Sequence, residues 1–204
     1  MCQELILSEA EDIGRELLEL LRPGCIRLEV AGSLRRRSPE VWDIELVAVP
    51  RNSPFDELAP AVARGFANHL LAPGPPSKNM SRAPDGDRYK RLTHIPSGCQ
   101  VDLFIVRPPA DWGVIYTIRT GPANFSHHIV TVALMQGKKV EDGQLWEIKR
   151  SARWDLKAPD CLKLLNKVPC PEEVDFFRAL GYKVIPPEQR YLATDPGGLA
   201  QWKL

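Results

Sequence analysis

The chain has 204 residues, a formal net charge of +1, 44% hydrophobic and 26% charged residues, the balance of a globular protein long enough to bury a real core. So small a net charge does not by itself announce a nucleic-acid partner. No secretory leader and no apolar run of membrane-spanning length is visible. The five cysteines (Cys2, Cys25, Cys99, Cys161 and Cys170) are odd in number and lack CxxC spacing. They argue against a disulfide framework or a zinc site and for a reducing compartment, so a soluble cytoplasmic protein is expected. Charge is unevenly spread: acids crowd the first twenty residues, and bases gather at Arg22–Arg37, Lys78–Arg91 and Lys138–Arg153, stretches able to meet phosphates if they converge.

In chain order, residues 8–21 predict a helix, with Ser8 as N-cap and Glu11 three positions on. Ile13, Leu17, Leu20 and Leu21 form its apolar stripe. Pro23-Gly24 ends it. Cys25–Ala31 and Val41–Val49 read as strands, and Phe55–Leu71 as a second amphipathic helix. Residues 73–88, rich in proline and glycine, read as a loop or long hairpin tip. Arg91–Ile95 and Gln100–Val106 predict two strands joined at Pro96-Ser97-Gly98. Thr120-Gly121-Pro122 announces a helix to about Gln136. Val140–Ile148 predicts a hairpin around Asp142-Gly143, Glu172–Leu180 a short helix, and the tail after it an irregular segment. The expected class is α+β, with a mixed-sheet domain over 1–119 and a smaller α+β domain over 120–204.

Three acids and one turn carry the chemistry. Alternation along a strand puts Asp43 and Glu45 on one face and Ile44 and Leu46 on the other. Setting Gln100–Phe104 alongside brings Asp102 within reach while Val101 and Leu103 pack beneath. A lone D-x-E is most often solvated strand, but these strands are apolar, where an unpaired acid is costly, and Trp42 and Val47 flank the acids. Three adjacent carboxylates repel unless cations neutralise them, and Mg2+ suits an all-oxygen site that also takes phosphate oxygens. Two such ions about 3.5–4 Å apart clamp the oxygens of an in-line displacement. Gly32-Ser33 follows the first strand, where glycine lets the backbone approach a phosphate and the amides and hydroxyl donate to it. Arg35, Arg36 or Arg37 adds charge there. Phe125 has two readings, stacking or core filling, of which core is the plainer. His127 and His128, as helix neighbours, point apart and make a poor chelating pair.

Taken together, Gly32-Ser33 with Arg35 and Arg36, the acids Asp43, Glu45 and Asp102, the Thr120-Gly121 turn and the ending EEVDFFRALGYKVIPPEQR resemble the family X DNA polymerases over nearly the whole chain. The resemblance implies a nucleotidyltransferase palm followed by a thumb. It implies two Mg2+ ions, with Mn2+ as substitute, and addition of a nucleoside monophosphate from a dNTP to a primer 3′-hydroxyl. On it, Asp43 and Glu45 bridge the metals and Asp102 completes the site; Gly32, Ser33 and Arg36 bind the triphosphate; Thr120, Gly121 and Phe125 lie beneath the incoming sugar and base. The sequence departs from well-known members in carrying Glu45 in place of an aspartate, and Ile118-Arg119 in place of an aromatic pair. It looks like the minimal palm-thumb form of small viral members, for which no lyase activity is expected. The expected partners are primer-template or gapped DNA and dNTP, with no membrane, and the chain is expected to act as a monomer in short-gap filling or repair. Two alternatives stand beside it: nucleotidyl transfer to RNA, a protein or a small molecule, and a non-catalytic DNA-end binding module.

Overall fold

The computed structural model describes residues 4–51, 58–76, 81–150, 162–191 and 198–204. The start of the expected Phe55–Leu71 helix, Lys78 and Arg153 of the basic stretches, residues 192–197 of the tail, Cys2 and Cys161 lie outside the described residues. The architecture is α+β, as expected, and divides into two compact units, Met1–Arg107 and Pro108–Leu204. The division falls ahead of the Thr120-Gly121 turn, at which the sequence placed the domain boundary.

In the first unit, a short strand β1 (Leu5–Ile6) runs straight into helix α1 (Leu7–Leu21). Ser8 is therefore inside the helix and not its N-cap. β1 pairs with β3 (Glu40–Val41), which holds the chain extended through Ile6, and the Glu9 carboxylate accepts the Ile6 N–H at 3.3 Å. After β2 (Cys25–Val30) comes a single helical turn, α2 (Gly32–Arg35), and then β4 (Asp43–Pro50). Helix α3 (Leu58–Ala67) ends earlier than its sequence suggests. His69 adopts a left-handed φ of 53° and the Leu70 N–H closes back on the Gly65 carbonyl, a Schellman-type stop. Leu71 then opens a strand, β5 (Leu71–Pro73), that the sequence reading took as helix end.

Strands β6 (Tyr89–His94) and β7 (Cys99–Ile105) complete a five-stranded mixed sheet of order β2-β4-β7-β6-β5. Only β4 and β7 are parallel. One face carries Leu28, Ile44, Leu46, Ala48, Leu92, Val101 and Leu103, all buried against Ala10, Ile13, Leu17 and Leu21 of α1 and Leu58, Ala61 and Val62 of α3. Packing on that face fixes the register, since a one-residue slip would turn every apolar side chain outward. Buried His94 bridges Ser97 Oγ (2.7 Å) and Glu16 Oε2 (3.0 Å), tying the β6–β7 turn to α1.

The second unit opens with α4 (Trp112–Thr120), unforeseen from the sequence, followed by α5 (Ala123–Met135). The expected hairpin forms as β8 (Lys138–Glu141) and β9 (Gln144–Arg150), turning on Asp142 and Gly143, both at positive φ (51° and 74°), the pairing an Asp-Gly turn favours. A further strand, β10 (Leu162–Val168), pairs with β9 to give the order β10-β9-β8, with a break in register between Leu164 and Lys167. Helix α6 (Glu173–Ala179) closes the unit. Its core gathers Val114, Phe125, Ile129, Ala133, Leu145, Cys170, Phe176 and Phe177.

Among the described residues no helix is long and apolar enough to cross a membrane.

Candidate active site

The face of the first unit's sheet opposite the core holds the acids. Glu45 of β4 and Asp102 of β7 are register partners, and Asp43 pairs with Gln100. Neighbouring strands stand about 4.8 Å apart and alternate residues share a face, so the three carboxylates occupy one patch. Val47, which the sequence set against a solvated edge together with Trp42, shares it and is buried; Trp42 is 55% exposed and lies at the surface.

The α2 turn is built into the same patch. The Ala31 N–H donates to the Glu45 carbonyl at 2.8 Å, which fixes the turn against β4. Gly32 has φ 56°, and a Cβ built on it would overlap the Glu45 carboxylate. Glycine is needed here twice, for the sign of φ and for the room. Gly32→Ala is expected to cost at least about 1–2 kcal/mol from left-handed strain alone and to push Glu45 aside; urea unfolding of the variant beside wild type measures the loss. Ser33 Oγ is buried with no hydrogen-bond partner, an arrangement proteins rarely leave without a use. Arg36, half-buried, faces Glu45 and Asp43: burial pulls its guanidinium below its ordinary value while the two acids hold it up.

Asp102 is 6% exposed and well supplied with donors. Its Oδ1 accepts from Tyr89 Oη (2.8 Å) and Arg91 Nε (3.1 Å), and its Oδ2 from Gln100 Nε2 (3.0 Å). Arg91 Nε also reaches Tyr89 Oη at 3.0 Å. Burial, and then the bond to Asp102, pushes the Tyr89 phenol up to about 12, so it stays a donor at neutral pH. The sequence marks neither Tyr89 nor Arg91 as a site residue, and the strand it predicts starts only at Arg91, where β6 starts at Tyr89. The available signal was alternation: residues two apart on the strand beside Asp102 share its face.

Asp43 is the strained member. Burial first, and the Asp102 charge second, raise its carboxyl above the ordinary value, while Arg91 and Arg36 pull it back. A carboxyl raised in the folded state binds more protons folded than unfolded, so stability falls as pH climbs from the unfolded value through the folded one and stays low at neutral pH. Asp43→Asn is therefore expected to raise the melting temperature of the metal-free protein at neutral pH, with the gain vanishing once acid has neutralised the wild-type carboxyl. Thermal denaturation in chelator at neutral and acidic pH checks this.

An all-oxygen donor set on one face and an orphaned hydroxyl at Ser33 fit divalent metal and triphosphate chemically. As the side chains stand, no three His, Cys, Asp or Glu groups among the described residues are gathered tightly enough to hold an ion, and Asp102 is engaged by its three donors. A separate cavity of about 490 Å3, lined by Val62, Phe66, Pro76, Arg82 and Lys90 among others, does not include the acids.

In the second unit, Thr120 is buried at the end of α4 and Gly121 caps that helix, its N–H returning to the Thr117 carbonyl at 3.2 Å. Phe125 is fully buried, so it fills the core, the plainer of its two readings. Arg190 lies over its ring, 5.7 Å from the centroid. This guanidinium, itself 0% exposed, also sits over Phe177 (5.3 Å) and binds the Ile185 carbonyl (3.1 Å), the Thr117 carbonyl (3.3 Å) and Glu173 Oε1 (2.9 Å). One charged side chain thus joins α4, α5, α6 and the tail.

Residues 116–191 match the DNA polymerase beta thumb. No curated protein matches the chain. The match runs from within α4 to Tyr191 and lies wholly in the second unit. The matched segment includes the Thr120-Gly121 turn, the three-stranded sheet and Arg190.

Proposed function

We propose that this chain is a nucleotidyltransferase of the family X DNA polymerase type, adding a nucleoside monophosphate from a dNTP to a primer 3′-hydroxyl in short-gap filling or repair. The observation that carries this reading is the register of Glu45 against Asp102, with Asp43 on the same face and the Gly32-Ser33 turn pressed onto Glu45. The thumb match supports DNA as the acceptor.

Asp43, Glu45 and Asp102 would hold two Mg2+ ions, or Mn2+, which neutralise charge on the attacking and leaving oxygens. Gly32 admits the phosphate chain close to the backbone, and the idle Ser33 hydroxyl donates to a phosphate oxygen. Arg36, already balancing Glu45 and Asp43, adds positive charge where the triphosphate collects. Tyr89, Arg91 and Gln100 orient Asp102. Gly121 is assigned to nucleotide contact; Thr120, like Phe125, is buried.

Primer extension tests the reading, on gapped, recessed and single-stranded DNA, with dNTPs or NTPs and with Mg2+ or Mn2+. Templated addition to the gapped substrate is the expected result. No addition to any DNA end with either ion would refute a DNA acceptor and turn the search to RNA, protein or small-molecule acceptors.

A further inference from the structure

We infer that Arg91 is the resident counter-ion of Asp102, occupying in the metal-free protein the side of that carboxylate to which a divalent cation binds, so that arginine and cation compete for it. The inference rests on the metal-binding reading of Asp43, Glu45 and Asp102.

The argument starts from charge. Three carboxylates share a patch on the sheet face opposite the core, and Asp102, the most buried of them, accepts hydrogen bonds from three donors. Tyr89 and Gln100 are neutral. A cation placed at Asp102 has only their hydrogen bonds to displace, and neutral groups turn aside at modest cost. Arg91 differs in kind. Among the described residues it is the one charged group hydrogen-bonded to the Asp102 carboxylate, and the positive charge that attracts the acid repels an incoming cation.

The geometry also provides the arginine with somewhere to go. Its side chain is 21% exposed, against 9% for that of Asp102, so the head can move toward water while the stem stays in place. Its Cζ already lies 5.9 Å from the centroid of the Tyr89 ring, within cation–π range. That ring is stacked on Phe104 at 5.0 Å and 14° and does not need to move. Release of Asp102 thus leaves Arg91 partnered. The arrangement keeps the acids compatible with folding before any ion arrives, at the expense of ion affinity.

The experiment is direct Mn2+ binding, by calorimetry or by the electron paramagnetic resonance of free Mn2+, without nucleotide or DNA. The proteins are wild type, Arg91→Met, Arg91→Lys and Asp102→Asn. Arg91→Met is expected to bind Mn2+ about tenfold more tightly, the effect of removing one unit charge beside a divalent ion, and to melt at a lower temperature in chelator. Arg91→Lys, which keeps the charge, should stay near wild type, and Asp102→Asn should bind more weakly. Should Arg91→Met not fold, Arg91→Gln, neutral and able to hydrogen-bond, carries the same expectation. Unchanged or weaker binding in a folded, charge-free variant would overturn the inference and make Arg91 a scaffold for Asp102. A wild type that binds no Mn2+ would instead defeat the metal-site reading, and the inference with it.

Discussion

Asp102→Ala is expected to reduce nucleotide transfer by more than the roughly 10–100-fold that accompanies loss of an outer-shell group at a metal site, while dNTP affinity changes little. Asp102 lies on β7, apart from the turn formed by Gly32, Ser33 and Arg36, to which triphosphate binding is assigned, so the two functions should separate. The alanine variant also leaves Arg91 without its carboxylate. Asp102→Asn is the cleaner comparison, because it keeps the shape, the burial and an acceptor oxygen for Tyr89 and Arg91 while removing the charge. Both variants should fail in single-turnover primer extension and bind dNTP like wild type. An asparagine variant that transfers nucleotides at wild-type rate would remove Asp102 from the site.

The second large effect is on stability. Arg190→Ala is expected to destabilise the second unit by about 3–5 kcal/mol, the cost typical of breaking a buried ion pair from one side. Two aromatic faces, two backbone carbonyls and Glu173 all lose their shared partner. Glu173, with a side chain 12% exposed, would keep a carboxylate facing the vacated space. Glu173→Gln should cost less, since an amide oxygen still accepts from the guanidinium. Urea unfolding followed by circular dichroism, on both single variants and the double, would give the coupling between them. A loss under about 1 kcal/mol for Arg190→Ala, within the range of exposed pairs, would mean that the guanidinium is not the hub its contacts describe.

The acids show what a strand pattern can disclose. Asp43, Ile44, Glu45 and Leu46 alternate so regularly that the acid face and the core face are legible before any partner strand is known, and Gln100–Phe104 repeats the pattern. The Asp142-Gly143 turn was equally legible, because only a few residue types tolerate positive φ twice in succession. Elements that depend on distant partners were not. Helix α4, WGVIYTIRT, is apolar and β-branched around its circumference, with no single stripe to mark a period. Strand β5 is three residues long and exists because β6 pairs with it. β10, LKLLNKV, alternates for only three residues before Leu164-Leu165 breaks the pattern. Within the site, Tyr89 and Arg91 needed the antiparallel register of β6 on β7 to become partners of Asp102. Arg190 sits in a tail with no periodicity, and its partners Thr117 and Glu173 are 73 and 17 residues away.

The second unit's small sheet has a consequence for how copies of the chain behave in concentrated solution. With the order β10-β9-β8, two of its three strands have a side unpaired among the described residues, and such sides are templates for another chain to add to. β8 begins Lys138-Lys139, β10 carries Lys163 and Lys167, and the register of β10 breaks after Leu164. Lysines and an irregular edge are the means by which natural sheets discourage extension. Two copies approaching edge to edge meet like charge and a mismatched ladder, so the sheet can stay small without seeding stacks of itself.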